Sequence, residues 1–259
     1  MSFSVSPLRG NKLLSALPPA EMSRLHPMLT RVRWVSGQVL HEAGERIEHV
    51  FFVEQGFASM VAQADNGGNG AEVGLIGREG MVGYPVLLDP EAASYNRAMV
   101  QMSGSALRMS AEALRDSIDA LPVLRRMLFG ALEVSIAQVA QTAACNSQHR
   151  LLHRLARWLL TAHDRMDGDE LALTQDVLAN ILGVRRSGVT IALGLLQAAA
   201  VVDQRRGYVI ICDRPGLEAA ACSCHERVHA FTAAVAAQPP GIPARPTSPS
   251  CLQHWSVAT

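Results

Sequence analysis

Apolar positions along this chain fall into three regimes, and each predicts a different kind of structure. Over residues 12–30, Leu13, Leu14, Leu17, Met22 and Leu25 share one side of a helix. From 31 to 109 the period changes. Short apolar or alternating runs recur at 32–35, 50–53, 59–61, 72–76, 99–102 and 106–109. Glycines at 37, 44, 56, 67, 68, 77, 80 and 104 separate them as turns. Many short strands without intervening long helices predict an antiparallel β-roll, or jelly roll, and argue against a parallel α/β fold.

The helical period returns at 111. A short helix is expected over 111–118, and a longer one from Pro122 to about Cys145. Leu124, Leu128, Ala131, Ser135, Gln138 and Thr142 recur along it at roughly heptad spacing, with Leu132, Ile136 and Val139 alongside. That stripe suits a helix pairing with its copy in a second subunit. The plain alternative is a helix packed on its own domain. Another helix is expected over 147–165, with Leu151, Leu155, Trp158 and Leu159 as its core face.

The segment TQDVLANILGVRRSGVTIAL (174–193) carries the sharpest spacing. Ala179 is small where two helices would cross, Gly183 follows at the turn, and Val189 lies on the inner face of the second helix. Leu178, Leu182, Val184 and Ala192 complete a small core. This is the pattern of a helix-turn-helix whose second helix enters the major groove. Val201-Val202-Asp203 and Tyr208-Val209-Ile210-Ile211 flank Arg205-Arg206-Gly207, which reads as a hairpin wing with two cations at its tip. The expected architecture is α+β, with divisions at 12–121, 122–145 and 146–230, and a proline-rich flexible tail at 238–259.

Charge alters this picture little. The chain has 23 basic and 23 acidic side chains in 259 residues. Residues 1–145 carry 12 basic and 14 acidic groups, and 146–230 carry 10 and 9. DNA binding must therefore rest on a local patch, which Arg185, Arg186, Arg205 and Arg206 supply. The N-terminal residues lack the continuous apolar core of a secretion signal, and no run approaches ~18–20 apolar residues. A cytoplasmic location without a membrane partner is expected. Five cysteines, at 145, 212, 222, 224 and 251, show no disulfide-framework spacing. The first is Cys145, so no N-terminal iron–sulfur cluster is expected.

A strand-rich N-terminal domain, a long helix and a winged helix-turn-helix together resemble the bacterial Crp/Fnr superfamily of transcription regulators. The resemblance is strongest at 173–197 and at RRGYVIICDRPGLE (205–218), and HRLLHRLARWLL (149–160) adds to it. It implies a homodimer on a two-fold-symmetric double-stranded DNA operator, a small-molecule effector, RNA polymerase as a further partner, and no enzymatic activity. Carried over residue by residue, it places Arg186, Ser187 and Gly188 at the groove-facing start of the recognition helix, with Arg185 just before and Thr190 and Ile191 one turn on. Thr174 and Gln175 open the preceding helix as further contacts. In the sensor, relatives that bind a cyclic nucleotide carry Gly-Glu followed by a later Arg. Here GREGMVGYPVLL (77–88) offers Gly83, but Tyr84 stands in place of the glutamate. Arg97, followed by Ala98, falls a few residues off register. Cyclic-nucleotide binding is doubtful on those grounds.

Two Cys/His groups remain. Cys145, His149 and His153 share one face of any continuous helix, a spacing that can hold a soft metal. The favoured reading is a buried thiol beside two partly exposed histidines, with a metal- or thiol-responsive sensor as the alternative. Cys222, Cys224, His225 and His229 read as ordinary helix packing. A cupin-like metal enzyme is the competing class, because His41, Glu42, Glu45 and His49 lie close in sequence. Phosphate-binding loops, nucleophile elbows and dinucleotide fingerprints are missing from the sequence.

Overall fold

The computed structural model describes residues 10–63, 70–89, 91 and 93–237; the expected flexible tail at 238–259 lies outside the described residues. Two prolines divide the single helix expected over 12–30. It becomes α1 (Lys12–Ser15) and α2 (Pro19–Leu25), followed by a 3-10 turn at His26–Met28. Proline at 18 and 19 removes backbone donors and ends the first turn. The buried Asn11 caps α1 through Leu14 N and donates to Val53 O and Gly80 O, tying this segment to the sheet.

Six antiparallel strands follow: β1 (Thr30–Trp34), β2 (Val39–His41), β3 (His49–Ala62), β4 (Ala71–Ile76), β5 (Met81–Val82) and β6 (Arg97–Ser110). Their order is β1-β6-β3-β4, with β2 also on β6 and β5 on β3. The expected roll is present, but β3 and β6 each run straight through what looked like two short strands and a turn. Gly56 and Gly104 explain why. A Cβ on Gly104 would collide with Gln55 O, and one on Gly56 with Met102 O. The two strands approach too closely there for side chains, and the register shifts as they bend.

Ser110 caps α3 (Ala111–Ala120) by accepting from Ala113 N at 3.2 Å. The long helix α4 (Pro122–Gln148) begins at the expected proline and continues three residues past Cys145. Glu21, on α2, accepts from its first free amides, Val123 N at 3.1 Å and Leu124 N at 2.9 Å, and so places a carboxylate at the positive helix end. The stripe expected to pair with a second subunit is divided between the chain's own core and its surface. Leu124 and Leu128 are buried in the core of the roll with Phe52, Met81 and Leu114. Gln138, with its amide turned to satisfy both groups, donates to Leu75 O and accepts from Leu75 N. Thr142 is buried as well. The exposed large apolar residues of α4 are Phe129 and Ile136, the latter 60% exposed.

The C-terminal part comprises α5 (Leu151–His163), β7 (Glu170–Leu171), α6 (Gln175–Leu182), α7 (Arg186–Ala198), β8 (Val202–Arg205), β9 (Tyr208–Ile211), α8 (Arg214–Ala220) and α9 (Cys224–Ala236). Strands β7, β9 and β8 form a small antiparallel sheet in that order. Its core, Leu155, Leu159, Leu178, Val189 and Leu193, is continuous with Phe57, Leu75 and Met102 of the roll. Phe57 and Trp158 meet edge to face at 6.4 Å.

One polar group crosses this joint. Glu72 of β4 is buried, and its carboxylate accepts from Ser59 Oγ and from Trp158 Nε1, both at 2.5 Å. Burial pushes its pKa up to about 7, against the lowering effect of those two donors and of Arg157 and Arg165. A folded-state pKa above the ordinary 4.5 means the fold binds the proton more tightly than the unfolded chain. This contribution to stability is full below that ordinary value and is lost as pH rises toward about 7. Glu72→Gln should therefore narrow the difference in melting temperature between about pH 5 and about pH 8. An unchanged difference, measured by calorimetry, would remove Glu72 as its source.

Candidate nucleic-acid interface

Thr174 starts α6 by accepting from Val177 N at 3.2 Å. Gly183 ends it at φ 63°, ψ 40°, a left-handed conformation that a side chain disfavours. Val184 N then returns to Ala179 O at 3.0 Å, and α7 begins two residues later. Ala179 and Val189 are both buried where the helices cross, as their sizes require.

This geometry sets the outer face of α7. Arg186, Ser187, Thr190 and Ile191 are exposed, and Arg185 is exposed just before them. Gly188 departs from expectation. A Cβ built on it would lie 3.0 Å from Leu151 Cδ2, so it faces α5 and lets the helices approach. It is half-buried, between the exposed Ser187 and the buried Val189.

A chain of side-chain amides holds α7 to its neighbours. Thr190 Oγ1 donates to Gln175 Oε1 at 2.7 Å, Gln175 Nε2 to Gln204 Oε1 at 2.9 Å, and Gln204 Nε2 to Gln197 Oε1 at 2.8 Å. Gln175 and Thr190 thus link α6, α7 and β8. Arg186 pairs with Asp176 at 3.3 Å, and Arg205 with Asp203 at 3.2 Å. Arg206 and Gly207, the latter at φ 83°, form the tight turn between β8 and β9. Both wing arginines are exposed.

The expected effector residues are divided among different surroundings. Gly83 has φ 106°, and the space beside it is filled by Val50 and Ile47. Tyr84 is buried, its hydroxyl accepting from Met81 N at 3.2 Å, and burial pushes its phenol pKa up. Arg97 instead pairs with Glu42 at 3.2 Å. Ala98 is buried in the sheet opposite Met60 and His41.

The same contacts give the cupin-like alternative no support. Glu42 is committed to Arg97, and Glu45 accepts from the Glu42 amide at 3.4 Å. Burial, partly offset by Glu45, pushes the His41 pKa down. His41, Glu42, Glu45 and His49 do not form a metal-capable group among the described residues.

Such a group does form elsewhere. Cys145, His149, Cys222 and Cys224 bring their donor atoms within 4.8 Å of one another. The helix break falls at His149, whose amide still bonds Cys145 O at 3.0 Å, so these two stay together. His153 is carried off on α5, with Nδ1 2.8 Å from Ala220 O. The sequence showed both Cys/His groups separately. Only the return of α9 along α4, with Val235 beside Gly130, joins them. Burial pushes all three thiol pKa values up, and Arg157 counters this at Cys145.

Next to this cluster, Asp164 at the end of α5 accepts from Arg214 of α8 at 2.7 Å and lies 2.8 Å from His225 of α9. Burial raises the Asp164 pKa, but His225 and Arg214 outweigh it and hold the carboxyl down at about 2. His225 and His229 stack at 6.3 Å.

Two family models match the chain. Residues 31–120 match the cyclic nucleotide-binding domain, and residues 153–220 match the Crp-like helix-turn-helix domain. No curated protein matches. Among solved structures, the c-di-GMP-responsive global regulator CLP of Xanthomonas campestris is 18% identical, with a TM-score of 0.59, covering 75% of this chain and 99% of that one. FixK2 of Bradyrhizobium japonicum is 16% identical, with a TM-score of 0.62, covering 75% and 98%. A Crp/Fnr-family transcriptional regulator of Thermus thermophilus is 19% identical, with a TM-score of 0.56, covering 76% and 98%.

Proposed function

Since the chain is a DNA-binding transcription regulator of the Crp/Fnr type, with a cyclic nucleotide-binding domain joined to a Crp-like helix-turn-helix domain, we propose that it acts as a homodimer whose α7 helices read the major groove of a two-fold-symmetric operator. The carrying observation is the set of exposed arginines at 185, 186, 205 and 206, placed along the outer edge of α7 and at the wing. Arginine forks match guanine O6 and N7 as well as phosphate. Ile191, 67% exposed, supplies apolar contact of the kind that suits a thymine methyl. Thr174, Gln175, Ser187 and Thr190 lie within the same frame as phosphate or base-edge partners. The unit is non-enzymatic and cytoplasmic in this reading, with RNA polymerase as its downstream partner.

The homodimer is supported by α4. This helix is long and apolar enough to cross a membrane by length and composition, with a stretch of mean hydropathy 1.2 of which 22% is buried. Phe129 and Ile136 stand one heptad apart on its exposed side. A helix pair covers such a face in water. Two copies then present half-sites about 34 Å apart. Within each chain, residues 12–121 act as the sensor, 122–145 as the pairing helix and 146–230 as the DNA-binding unit.

We read the sensor as one that does not take a cyclic nucleotide in the usual way. Tyr84 packs into the core where a ribose-binding carboxylate would stand, and Arg97 lies beside Glu42 in a half-exposed pair that a phosphate would have to displace.

Three outcomes are expected. Arg186→Ala should cost about 1–3 kcal/mol in operator binding and relax preference at one base pair, whereas Arg205→Ala should weaken all sequences alike and reduce the salt slope. Gel-shift titrations across salt and single-base operator variants read both; unchanged base preference in the first variant would remove Arg186 from the groove. Ile136→Glu should shift the sedimenting species from dimer to monomer, and an unchanged mass would move the interface elsewhere. Cyclic AMP should leave the melting temperature unchanged. A ligand at 100 times its Kd would add about 2.7 kcal/mol, so a rise of several degrees would restore the nucleotide site.

A further inference from the structure

Cys145 and His149 sit at the C-terminal end of α4, while Cys222 and Cys224 sit at the start of α9 and just before it. We propose that these four residues form a closed tetrahedral site for a soft divalent metal, Zn2+ being the ion it takes, and that the ion clamps α9 to α4.

Two of the donor separations match those around the ion, and all four donors lie within 4.8 Å of one another. A tetrahedral zinc with Zn–S of about 2.3 Å and Zn–N of about 2.0–2.1 Å sets S···S edges of about 3.7 Å and S···N edges of about 3.5 Å. Cys145 Sγ and Cys222 Sγ are 3.5 Å apart, and Cys224 Sγ lies 3.6 Å from His149 Nδ1. Three thiolates and one imidazole suit zinc and disfavour hard cations. Four protein donors leave no open coordination position, which describes a structural site rather than a catalytic one.

The surroundings also fit. Gln141 Nε2 donates to Cys224 Sγ at 3.0 Å, and the Cys224 amide donates to Cys222 Sγ. Such bonds orient thiolate ligands. Zinc with three thiolates carries a net charge of −1, and a buried cation is at hand. Arg157 is only 6% exposed, acts electrostatically on Cys145, and its Nε has no hydrogen-bond partner among the described residues. His153 and His225 are not ligands, being engaged with Ala220 O and Asp164.

The consequence falls on α9. Of its 13 residues only Cys224 is buried, so apolar packing alone holds this helix weakly. The metal supplies the missing attachment at the end where the chain leaves α8. It stands apart from the arginines of α7 and the wing, and it does not depend on DNA binding.

The test uses the full-length, untagged chain, purified under reducing conditions. Inductively coupled plasma mass spectrometry should find about one zinc per chain. Replacing it with Co2+ should give the visible bands of a tetrahedral cobalt–thiolate site. The Cys222→Ser/Cys224→Ser double variant should lose both signals. His149→Ala, a milder change at a half-buried position, should weaken zinc by at least about tenfold in competition with a chelating dye. Chelator treatment should speed amide exchange across 224–236 while leaving 122–135 unchanged. The proposal is overturned if the wild-type chain holds no zinc and rejects Co2+, if the variants retain full metal, or if the chain purified with reductant keeps a Cys145–Cys222 disulfide in place of the metal.

Discussion

The arrangement of the molecule turns on a buried carboxylate set in an apolar joint. Glu72 leaves the roll and meets Trp158 of α5, while Phe57, Leu75 and Met102 join the C-terminal core and Phe57 meets the indole edge to face. An ionisable group in such a place is tolerated only when its oxygens are satisfied, and Ser59 and Trp158 supply that. The directional bonds set the seating of α5 on the sheet, which nonspecific apolar contact alone would leave loose. Arg78 to Asp167 and Arg165 to Glu79 add ion pairs across the same joint. Because α5 packs against α7, the placement of the outer face of α7 follows from how the roll is seated.

This makes the roll more than an attached sensor. Its sheet supplies part of the hydrophobic core on which α6 rests, with Ala71 lying near Gly183 at the helix turn. The start of β4 thus borders the end of α6. The opposite face of the roll packs around Leu124 and Leu128 of α4. One sheet thus touches both the long helix and the helix-turn-helix, and no separate relay element is needed to connect them.

Much of this was readable beforehand. The spacing of Ala179, Gly183 and Val189 identified the helix-turn-helix, because small and left-handed positions have few other uses at that interval. Pro122 marked the start of α4, and alternating runs marked the roll. What stayed hidden depended on contacts distant in sequence. Gly56 and Gly104 looked like turns because a glycine needed for close strand approach is indistinguishable from one needed for a bend. The stripe of α4 showed which positions are apolar but not which neighbour covers them, and the roll covers Leu124 and Leu128. The place of Gly188 in the motif did not show that Leu151 packs beside it. The cysteine cluster was divided between 145–149 and 222–224, and only the path of α9 could join it.

The pair between Arg186 and Asp176 has a bearing on how readily Arg186 is engaged. Both side chains are more than half exposed, so the bond contributes at most about 1 kcal/mol. Yet any DNA group that engages Arg186 must first displace a resident carboxylate. A lone phosphate oxygen offers much the same charge and returns little for the exchange. A guanine edge offers two aligned acceptors and returns more. Asp176 would therefore act as a resident competitor, weakening by up to about fivefold every mode of binding that engages Arg186 and leaving the choice among them to what each partner returns.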